Sequence, residues 1–167
     1  TVAEMLGGAG YATFAVGKWH VAQVEETSAA GPFDQWPLGR GFNRFYGFMN
    51  GSTDQYHPEI IEDNHAIDPP GRPEDGYHFT ADMVDKAIAM LGAHVSMQPD
   101  QPFFVNLGFS AGHFPHQVPA DYMERYAGVY EAGWDACREA RLARQKAMGL
   151  VPESTERPAP NPGVERW

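Results

Sequence analysis

The fold is decided by residues 1–20, which run TVAEMLGGAGYATFAVGKWH. Apolar residues at helical spacing, Val2, Met5 and Leu6, predict a short helix with one apolar face. Three glycines then end the helix, and the apolar run at residues 11–17 predicts a strand that leads into a turn, GKWH. Because the predicted helix is already under way at the first residue, we expect further sequence to precede it.

The middle of the chain, residues 21–78, is predicted to be a long ordered loop region packed on a core. Turn-forming residues recur at short intervals along it. It also carries many aromatic side chains, which leave water only when they find packing partners: Phe33, Trp36, Phe42, Phe45, Tyr46, Phe48 and Tyr56. Long structured loops of this kind often shape binding sites.

A second helix and a second strand follow. From Thr80, the predicted N-cap, apolar residues recur on one helical face: Val84, Ala87, Ile88, Leu91 and Val95. The almost continuous apolar run at residues 102–110, PFFVNLGFS, is typical of a fully buried parallel strand. Further helices are predicted after Pro119 and over about residues 132–148, before a proline-rich tail at residues 153–167. This alternation of helices and strands predicts an α/β fold.

The composition excludes several classes of protein. With 167 residues, 43% of them hydrophobic, the chain can bury a core and is not disordered throughout. The formal net charge of −10 argues against a nucleic-acid-binding face. No apolar run reaches the roughly 18 residues of a membrane span, so we expect neither nucleic acid nor membrane as a partner. The single cysteine, Cys137, excludes a disulfide within the chain and leaves the compartment undetermined.

The turn after the first strand carries a cation and a titratable group, Lys18 and His20. On an extended segment residues i and i+2 point to the same side, so these two side chains are predicted to converge while Trp19 points back into the protein. A lysine stabilises negative charge that develops on an oxygen, and a histidine moves protons near neutral pH. A surface lysine and a histidine that caps a turn are the alternative, and the residue types alone leave both open.

A second candidate, His113, follows the later strand in the turn SAGHFPH. Ligands of open α/β sheets bind beyond the carboxyl ends of the strands, so His113 lies where a catalytic group is expected. His113 and His116 also have a spacing that fits two metal ligands, although no neighbouring carboxylate or cysteine completes a set. A loop histidine bonded to a backbone carbonyl fits the pattern equally well.

Residues 1–20 resemble the second signature of the type I sulfatases, a family of the alkaline-phosphatase superfamily. That signature runs T-x-A-x-x-L-x-x-x-G-Y-x-T-x-x-x-G-K-W-H, and each specified position matches: Thr1, Ala3, Leu6, Gly10, Tyr11, Thr13, Gly17, Lys18, Trp19 and His20. The stretch GFNRFYGF, residues 41–48, resembles the family's G-F-D-x-F-Y-G-F with Asn43 in place of the aspartate. PFFVNLGFSAGHFPHQVP resembles its P-F-F-x-x-x-x-x-x-A-x-H-x-P, and a likeness to the larger bacterial arylsulfatases extends to about Pro152.

The resemblance implies a fold, an activity and roles for three residues. The expected fold is an incomplete three-layer α/β/α core of the alkaline-phosphatase type, and the expected substrate is a small-molecule sulfate ester. In this family a cysteine or serine becomes formylglycine, whose hydrated aldehyde attacks the sulfur, and a divalent cation, usually Ca²⁺, holds the hydrate and the sulfate. By motif position, Lys18 bridges the sulfate and the formylglycine oxygen. His20 bonds the formylglycine hydroxyl and helps to expel sulfate, and His113 contacts the sulfate and protonates the departing oxygen.

The resemblance also implies that essential parts lie outside these residues. The family's C-x-P/A-x-R nucleophile motif and first metal-binding aspartates are expected upstream, and its Asp-Asn metal pair downstream. Two look-alikes are not expected to serve, because CREAR at residues 137–141 has a glutamate at its third position and Asp63-Asn64 precedes the strand before His113. We therefore expect no nucleophile and no complete metal site here. Residues 1–152 are predicted to be the central part of a sulfatase catalytic domain, with the rest of that domain as their partner.

Three alternatives stay open on the sequence. A phosphate or phosphonate ester hydrolase of the same superfamily would use the same residues, because sulfate and phosphate esters share a tetrahedral anionic core. A non-catalytic anion-binding or scaffold protein is the second alternative. A histidine-rich metal-binding module is the third and the weakest, because the seven histidines are scattered and lack carboxylate or thiol company at ligand spacing.

Overall fold

The computed structural model describes residues 1–163, and the chain divides into two compact units. The first unit covers residues 1–117, and the second begins at Val118. The boundary predicted from the sequence, between residues 152 and 153, separates a catalytic-domain segment from a tail and stays a prediction. No helix within residues 1–163 is long and apolar enough to cross a membrane.

The first unit is built on a mixed five-stranded sheet with the order β4-β3-β2-β1-β5. Its strands are β1 (Ala12–Lys18), β2 (Arg44–Phe48), β3 (Ile60–Glu62), β4 (His65–Ile67) and β5 (Phe103–Gly108). Strand β1 runs parallel to both of its neighbours, β2 and β5, whereas β3 and β4 form an antiparallel hairpin beside β2. The three parallel strands therefore end at the same edge of the sheet.

Helices α1 (Val2–Gly8) and α2 (Phe79–Met97) cover opposite faces of this sheet. Successive residues of a strand point to opposite faces of the sheet, so alternate residues of β1 pack against the two different helices. Phe14 and Val16 share one buried cluster with the α2 residues Phe79, Met83, Ala87 and Met90. Ala15 belongs to the other cluster, with Ala3 of α1 and the rings of Trp36, Phe42 and Phe45. The predicted α/β fold is confirmed, with a helix, a sheet and a helix in three layers.

The long connection after β1 is ordered and packed on the core, as the sequence predicts. Trp36 is fully buried, its indole N–H donates to the Glu26 carbonyl at 2.6 Å, and the Phe33 ring meets it edge-on at 4.9 Å. The interpretation of residues 21–78 as loops was wrong in part, since β2 and the β3–β4 hairpin lie within them. Strand β2 is short and followed by turn-forming residues, which conceals it in the sequence.

The buried faces of the helices match the prediction only in part. In α1 the buried residue is Ala3, whereas Val2 and Met5 are 54% and 77% exposed. In α2 the predicted Ala87 is buried and Leu91 packs against the same cluster, whereas Ile88 is 62% exposed and the other buried side chains are Phe79, Met83 and Met90. The predicted N-cap of α2 also shifts by two residues, because the His78 side chain accepts from the Thr80 N–H. A helix with apolar residues on two stripes does not reveal from its sequence which stripe meets the sheet.

Strand β5 pairs in parallel with β1, as predicted, but it is not fully buried. It forms an edge of the described sheet, and Phe103 and Leu107 are 44% and 36% exposed. The apolar run therefore identified a parallel strand correctly and its burial incorrectly.

The described part of the second unit is helical, with α3 (Ala120–Glu124) and α4 (Gly133–Ala147). Cys137 is half-buried on α4, as predicted for a small helix residue. The proline-rich tail is extended and turn-rich, and Arg157 fastens it by ion pairs to Asp135 and Glu139 of α4. Residues 164–167 of the predicted tail lie outside the described residues.

Three glycines in register fix the spacing of the parallel strands near their carboxyl ends. Gly17 of β1 pairs with Gly47 of β2 and with Gly108 of β5. The φ of Gly17 is 101°, and a Cβ on it would overlap the Gly108 carbonyl oxygen. A Cβ on Gly47 would likewise overlap the Gly17 carbonyl oxygen. Side chains at these positions would force the strands apart where Lys18 begins.

Replacing Gly17 by alanine is expected to destabilise the fold by about 3 kcal/mol or more, because backbone strain and a steric overlap add together. Gly10→Ala is the matched control, since Gly10 has a similar φ of 89° but open space around it. That control should cost only about 1 kcal/mol, the strain of a left-handed alanine. Urea denaturation measures both free energies of unfolding, and equal losses would contradict the packing role of Gly17.

Candidate active site

The candidate site lies at the sheet edge where β1, β2 and β5 end. Lys18 is the last residue of β1 and pairs with Phe48, the last residue of β2. The end of β5 is adjacent, since a Cβ on Gly108 would lie 3.3 Å from the Lys18 carbonyl oxygen. Loops that follow the three strands thus start side by side, which is the usual ligand position in a parallel sheet.

Lys18 is half-buried at this edge and has no carboxylate partner within residues 1–163. Two other cations beside the sheet are neutralised: Arg44 pairs with Glu62 and Asp63, and Lys86 pairs with Glu62. A lysine without an internal carboxylate can place its charge on an external anion.

Trp19 points back into the protein, as predicted. Its indole N–H donates to the Gln35 carbonyl at 2.7 Å, and its ring meets Phe42 edge-on at 5.8 Å. The backbone N–H groups of Trp19 and His20 continue to bond along β2, to Phe48 and Met49, each at 3.0 Å. The turn that carries the candidate residues is therefore fixed to the sheet by its backbone.

His20 departs from the extended geometry that the prediction assumed. Its φ is 48°, in the left-handed region, so the simple alternation from Lys18 ends there. Its exposed imidazole lies against the loop after β2, and a Cβ on Gly51 would lie 3.1 Å from the His20 Cε1 atom. Non-glycine residues with this backbone cluster at functional sites.

His113 lies in the loop after β5, at the same sheet edge, with its side chain exposed. Its backbone N–H donates to the Ser110 carbonyl at 3.0 Å, and its Nδ1 lies 2.8 Å from the Phe114 carbonyl oxygen. A carbonyl only accepts, so Nδ1 must carry the hydrogen, and Nε2 is the nitrogen that can gain or lose a proton. Among the described residues no hydrogen bond joins His113 to Lys18 or His20.

Sequence reasoning missed a polar bridge between the loops after β2 and β5. The Gln117 side chain accepts from the Gln55 N–H at 2.7 Å and donates to the Asp54 carboxylate at 2.6 Å. The same carboxylate accepts the Tyr56 and His57 N–H groups, each at 2.8 Å. The donated hydrogen bond from Gln117 is the main reason that the pKa of Asp54 is below its ordinary value. Gln117 lies 63 residues from Asp54, and nothing local in either segment signals the contact.

The described residues do not form a site that fits a divalent cation. No three His, Cys, Asp or Glu side chains within residues 1–163 come together as a ligand set. The Asp63 carboxylate is engaged by the Arg44 guanidinium and by the Phe45 N–H at 2.9 Å. Asp63 lies in the β3–β4 turn with a φ of 56°, where it supports the hairpin. We derive no step through a cation held by these residues.

Two tyrosines, the buried Tyr46 and the partly buried Tyr77, lie on the α2 side of the sheet. The hydroxyls of Tyr46 and Tyr77 both donate to the Asp82 carboxylate, at 2.6 and 2.8 Å. Burial, and then the neighbouring carboxylate, raises the pKa of both phenols above the ordinary value. These phenols stay protonated and tie α2 to the sheet.

Comparison with known proteins identifies relatives for almost the whole chain. A family model described as "Sulfatase" matches residues 1–157. An arylsulfatase of Klebsiella aerogenes is 31% identical over 95% of this chain. An uncharacterised sulfatase of Schizosaccharomyces pombe is 30% identical over 98% of it. The chain spans 33% and 30% of the lengths of these two relatives.

Solved structures show a similar fold at low sequence identity. Ps i-CgsB in complex with k-i-k-neocarrahexaose superposes with a TM-score of 0.60 at 20% identity, over 75% of this chain and 29% of that one. BT4656 in complex with its substrate D-glucosamine-2-N,6-O-disulfate gives a TM-score of 0.51 at 21% identity, over 78% of this chain and 22% of that one.

The lowered pKa of Asp54 predicts an acid-dependent contribution to stability. A carboxyl whose folded pKa is depressed stabilises the protein above its unfolded pKa, about 3.9, and this stability is lost as pH falls through the folded pKa. Asp54→Asn is therefore expected to flatten the fall in melting temperature below about pH 4. Asp100→Asn, at an exposed position between α2 and β5, is the control and should follow the wild-type slope. Parallel curves for wild type and Asp54→Asn would contradict the assignment.

Proposed function

Since this chain belongs to the sulfatase family, we propose that it is the central part of a catalytic domain that hydrolyses small-molecule sulfate esters, as an arylsulfatase-type enzyme. The proposal is supported by Lys18 at the end of β1, with His20 and His113 in the loops after β1 and β5, at the edge where the three parallel strands end. The fold supports it, because the mixed sheet with helices on both faces is an incomplete alkaline-phosphatase-like core.

We propose that the attacking group and the cation ligands lie in other parts of the full-length protein. A formylglycine supplies the nucleophilic oxygen in the family, and a divalent cation such as Ca²⁺ offsets charge on the sulfate. The chain spans about a third of its curated relatives, which leaves room for both. On this proposal the chain alone has no sulfatase activity, and the rest of the domain is its principal partner.

Lys18 is proposed to bind the sulfate and the attacking oxygen together. It is the last residue of β1, so the sheet fixes its backbone, and it lacks a carboxylate within residues 1–163. Its ammonium group is thus available for the negative charge that develops on the oxygens during attack. A cation already positioned there lowers the activation barrier, because it stabilises the developing charge without reorganisation of solvent.

His20 is proposed to exchange a proton with the attacking group. The Gly51 backbone leaves room for its ring, and the left-handed backbone sets its direction at the end of the Lys18 turn. An imidazole there can take the hydroxyl proton when sulfate is expelled.

His113 is proposed to contact the sulfate and protonate the departing oxygen. The Phe114 carbonyl accepts the hydrogen on Nδ1, so any proton that His113 gains is bound at Nε2. The Nε2 proton is the one that an acid would deliver to a leaving alcohol or phenol.

Lys18→Ala in the full-length protein is expected to lower turnover of 4-nitrophenyl sulfate by about 10²-fold, because an oxyanion contact is lost. Lys146→Ala, in the last turn of α4, is the control and should leave turnover unchanged. Wild-type turnover by a folded Lys18 variant would contradict the role of Lys18. Faster hydrolysis of 4-nitrophenyl phosphate than of the sulfate by the wild type would instead assign the protein to phosphate esters.

His113→Ala is expected to harm an alkyl sulfate about 10²-fold or more and an activated aryl sulfate much less, since acid catalysis matters most for a poor leaving group. Steady-state rates on both esters measure the difference. His116→Ala serves as the matched control, because His116 is exposed in the same loop and has no proposed role. Equal losses on the two esters would show that His113 binds sulfate without donating a proton.

A further inference from the structure

We infer that Gln117 is a positioning residue, which joins the loop that carries His113 to the loop against which His20 packs. This inference rests on the proposed function of the two histidines. Gln117 and its partner Asp54 do not touch the reacting atoms. Their role is to hold together the two loops on which the histidines depend.

The bridge uses both ends of one carboxamide. The Gln117 Oε1 accepts from the Gln55 N–H at 2.7 Å, and its Nε2 donates to the Asp54 Oδ2 at 2.6 Å. The second bond is short because one partner is charged. Two hydrogen bonds from one side chain fix both the position and the rotation of the amide plane.

The groups around Gln117 determine which end of its side chain donates and which end accepts. Asp54 only accepts, because an ionised carboxylate carries no hydrogen, and its Oδ1 takes the Tyr56 and His57 N–H groups. The Gln55 backbone N–H only donates. A carboxamide satisfies this pair in one orientation, with its nitrogen toward Asp54, whereas a carboxylate at position 117 would face another carboxylate.

The bridge is itself fastened to the start of α2. The Gln117 carbonyl lies 3.3 Å from the His78 Nε2, and the Gln55 carbonyl accepts the Phe79 N–H at 2.8 Å. Gln55 is 4% exposed, and its side-chain oxygen accepts the Thr80 hydroxyl at 3.0 Å. The anchor point is therefore buried and bonded to a long helix.

Both catalytic loops depend on this connection. Gly51, on which the His20 ring lies, and Asp54 belong to the same loop after β2. His113 and Gln117 belong to the same loop after β5, where His113 is exposed and, among the described residues, bonds to its near neighbours Ser110 and Phe114. Gln117 is thus the point at which the His113 loop is tied to the His20 side of the site. Without the tie, the His113 Nε2 would sample positions away from the leaving oxygen, and small misplacements cost much rate.

The test is made in the full-length protein and exchanges the hydrogen-bond donor at position 117 with the acceptor at position 54. Gln117→Glu places two carboxylates together, and Asp54→Asn turns an amide donor toward the Gln117 amide donor. The double variant restores one donor and one acceptor, because the amide introduced at position 54 can donate to the carboxylate introduced at position 117. The oxygen of that amide keeps the Tyr56 and His57 N–H groups. We expect each single variant to lose about tenfold or more in turnover of an alkyl sulfate, and the double variant to recover to within about threefold of wild type.

The leaving-group dependence separates positioning from a general loss of structure. If Gln117 acts through His113, Gln117→Glu harms an alkyl sulfate more than 4-nitrophenyl sulfate, whereas a general loss of folded protein lowers both equally. Gln98→Glu, at an exposed position at the end of α2, adds the same charge and should change neither rate. Hydrogen exchange of the loop amides at residues 109–117 provides a readout that needs no activity, with faster exchange expected in each single variant and wild-type exchange in the double variant.

The outcomes distinguish failure of this inference from failure of the proposed function. Wild-type rates and exchange in Gln117→Glu, or a double variant no better than either single one, would overturn the inference and leave the proposed function standing. Equal losses on both esters would also overturn it. A wild-type protein inactive on every sulfate ester would overturn the proposed function and with it the positioning role, while hydrogen exchange would still decide whether the bridge holds the loop.

Discussion

The close approach of β1 to its two neighbours at Gly17, Gly47 and Gly108 is the constraint on which the candidate site depends. The backbones meet so tightly there that side chains on Gly17 and Gly47 would collide with carbonyl oxygens of the adjacent strand. Because the three parallel strands end just beyond this row, their loops leave the sheet side by side. Lys18 follows Gly17 directly, so its backbone position is set by strand packing and not by a flexible loop.

Charge at the site is local and differs from that of the whole chain. The formal net charge is −10, and two cations beside the sheet, Arg44 and Lys86, are offset by Glu62 and Asp63. Lys18 has no such partner within residues 1–163 and lies where parallel sheets bind ligands. On the proposed function, this local cation attracts the sulfate group even though the protein is acidic overall.

The central part of this architecture could be predicted from the sequence. The parts that could not be predicted depend on contacts that the local sequence does not encode. Strand β1 and the direction of Trp19 follow from a local apolar pattern that ends at a glycine. The buried stripe of α2 could not be chosen, because apolar side chains such as Ile88 lie on a second stripe. Exposure of β5 depends on its place at the edge of the described sheet, which its own residues do not encode.

The sequence predicted individual candidate residues of the site. It did not predict the hydrogen bonds that join the loops around them. Lys18, His20 and His113 were identified from motifs and strand ends, and their roles remain proposals. The left-handed backbone of His20 occurs together with a hydrogen bond to Met49 and contact with the loop that contains Gly51. The bridge from Gln117 arises only when segments distant in sequence meet. Local patterns carry no information about such contacts.

The most direct test of this account is a crystal structure of the full-length protein with bound sulfate, the proposed product. We expect one sulfate ion at the carboxyl edge of the parallel strands, in contact with both the Lys18 Nζ and the His113 Nε2. Sulfate bound elsewhere, or contacted by only one of these two side chains, would contradict the claim that they form a single anion pocket.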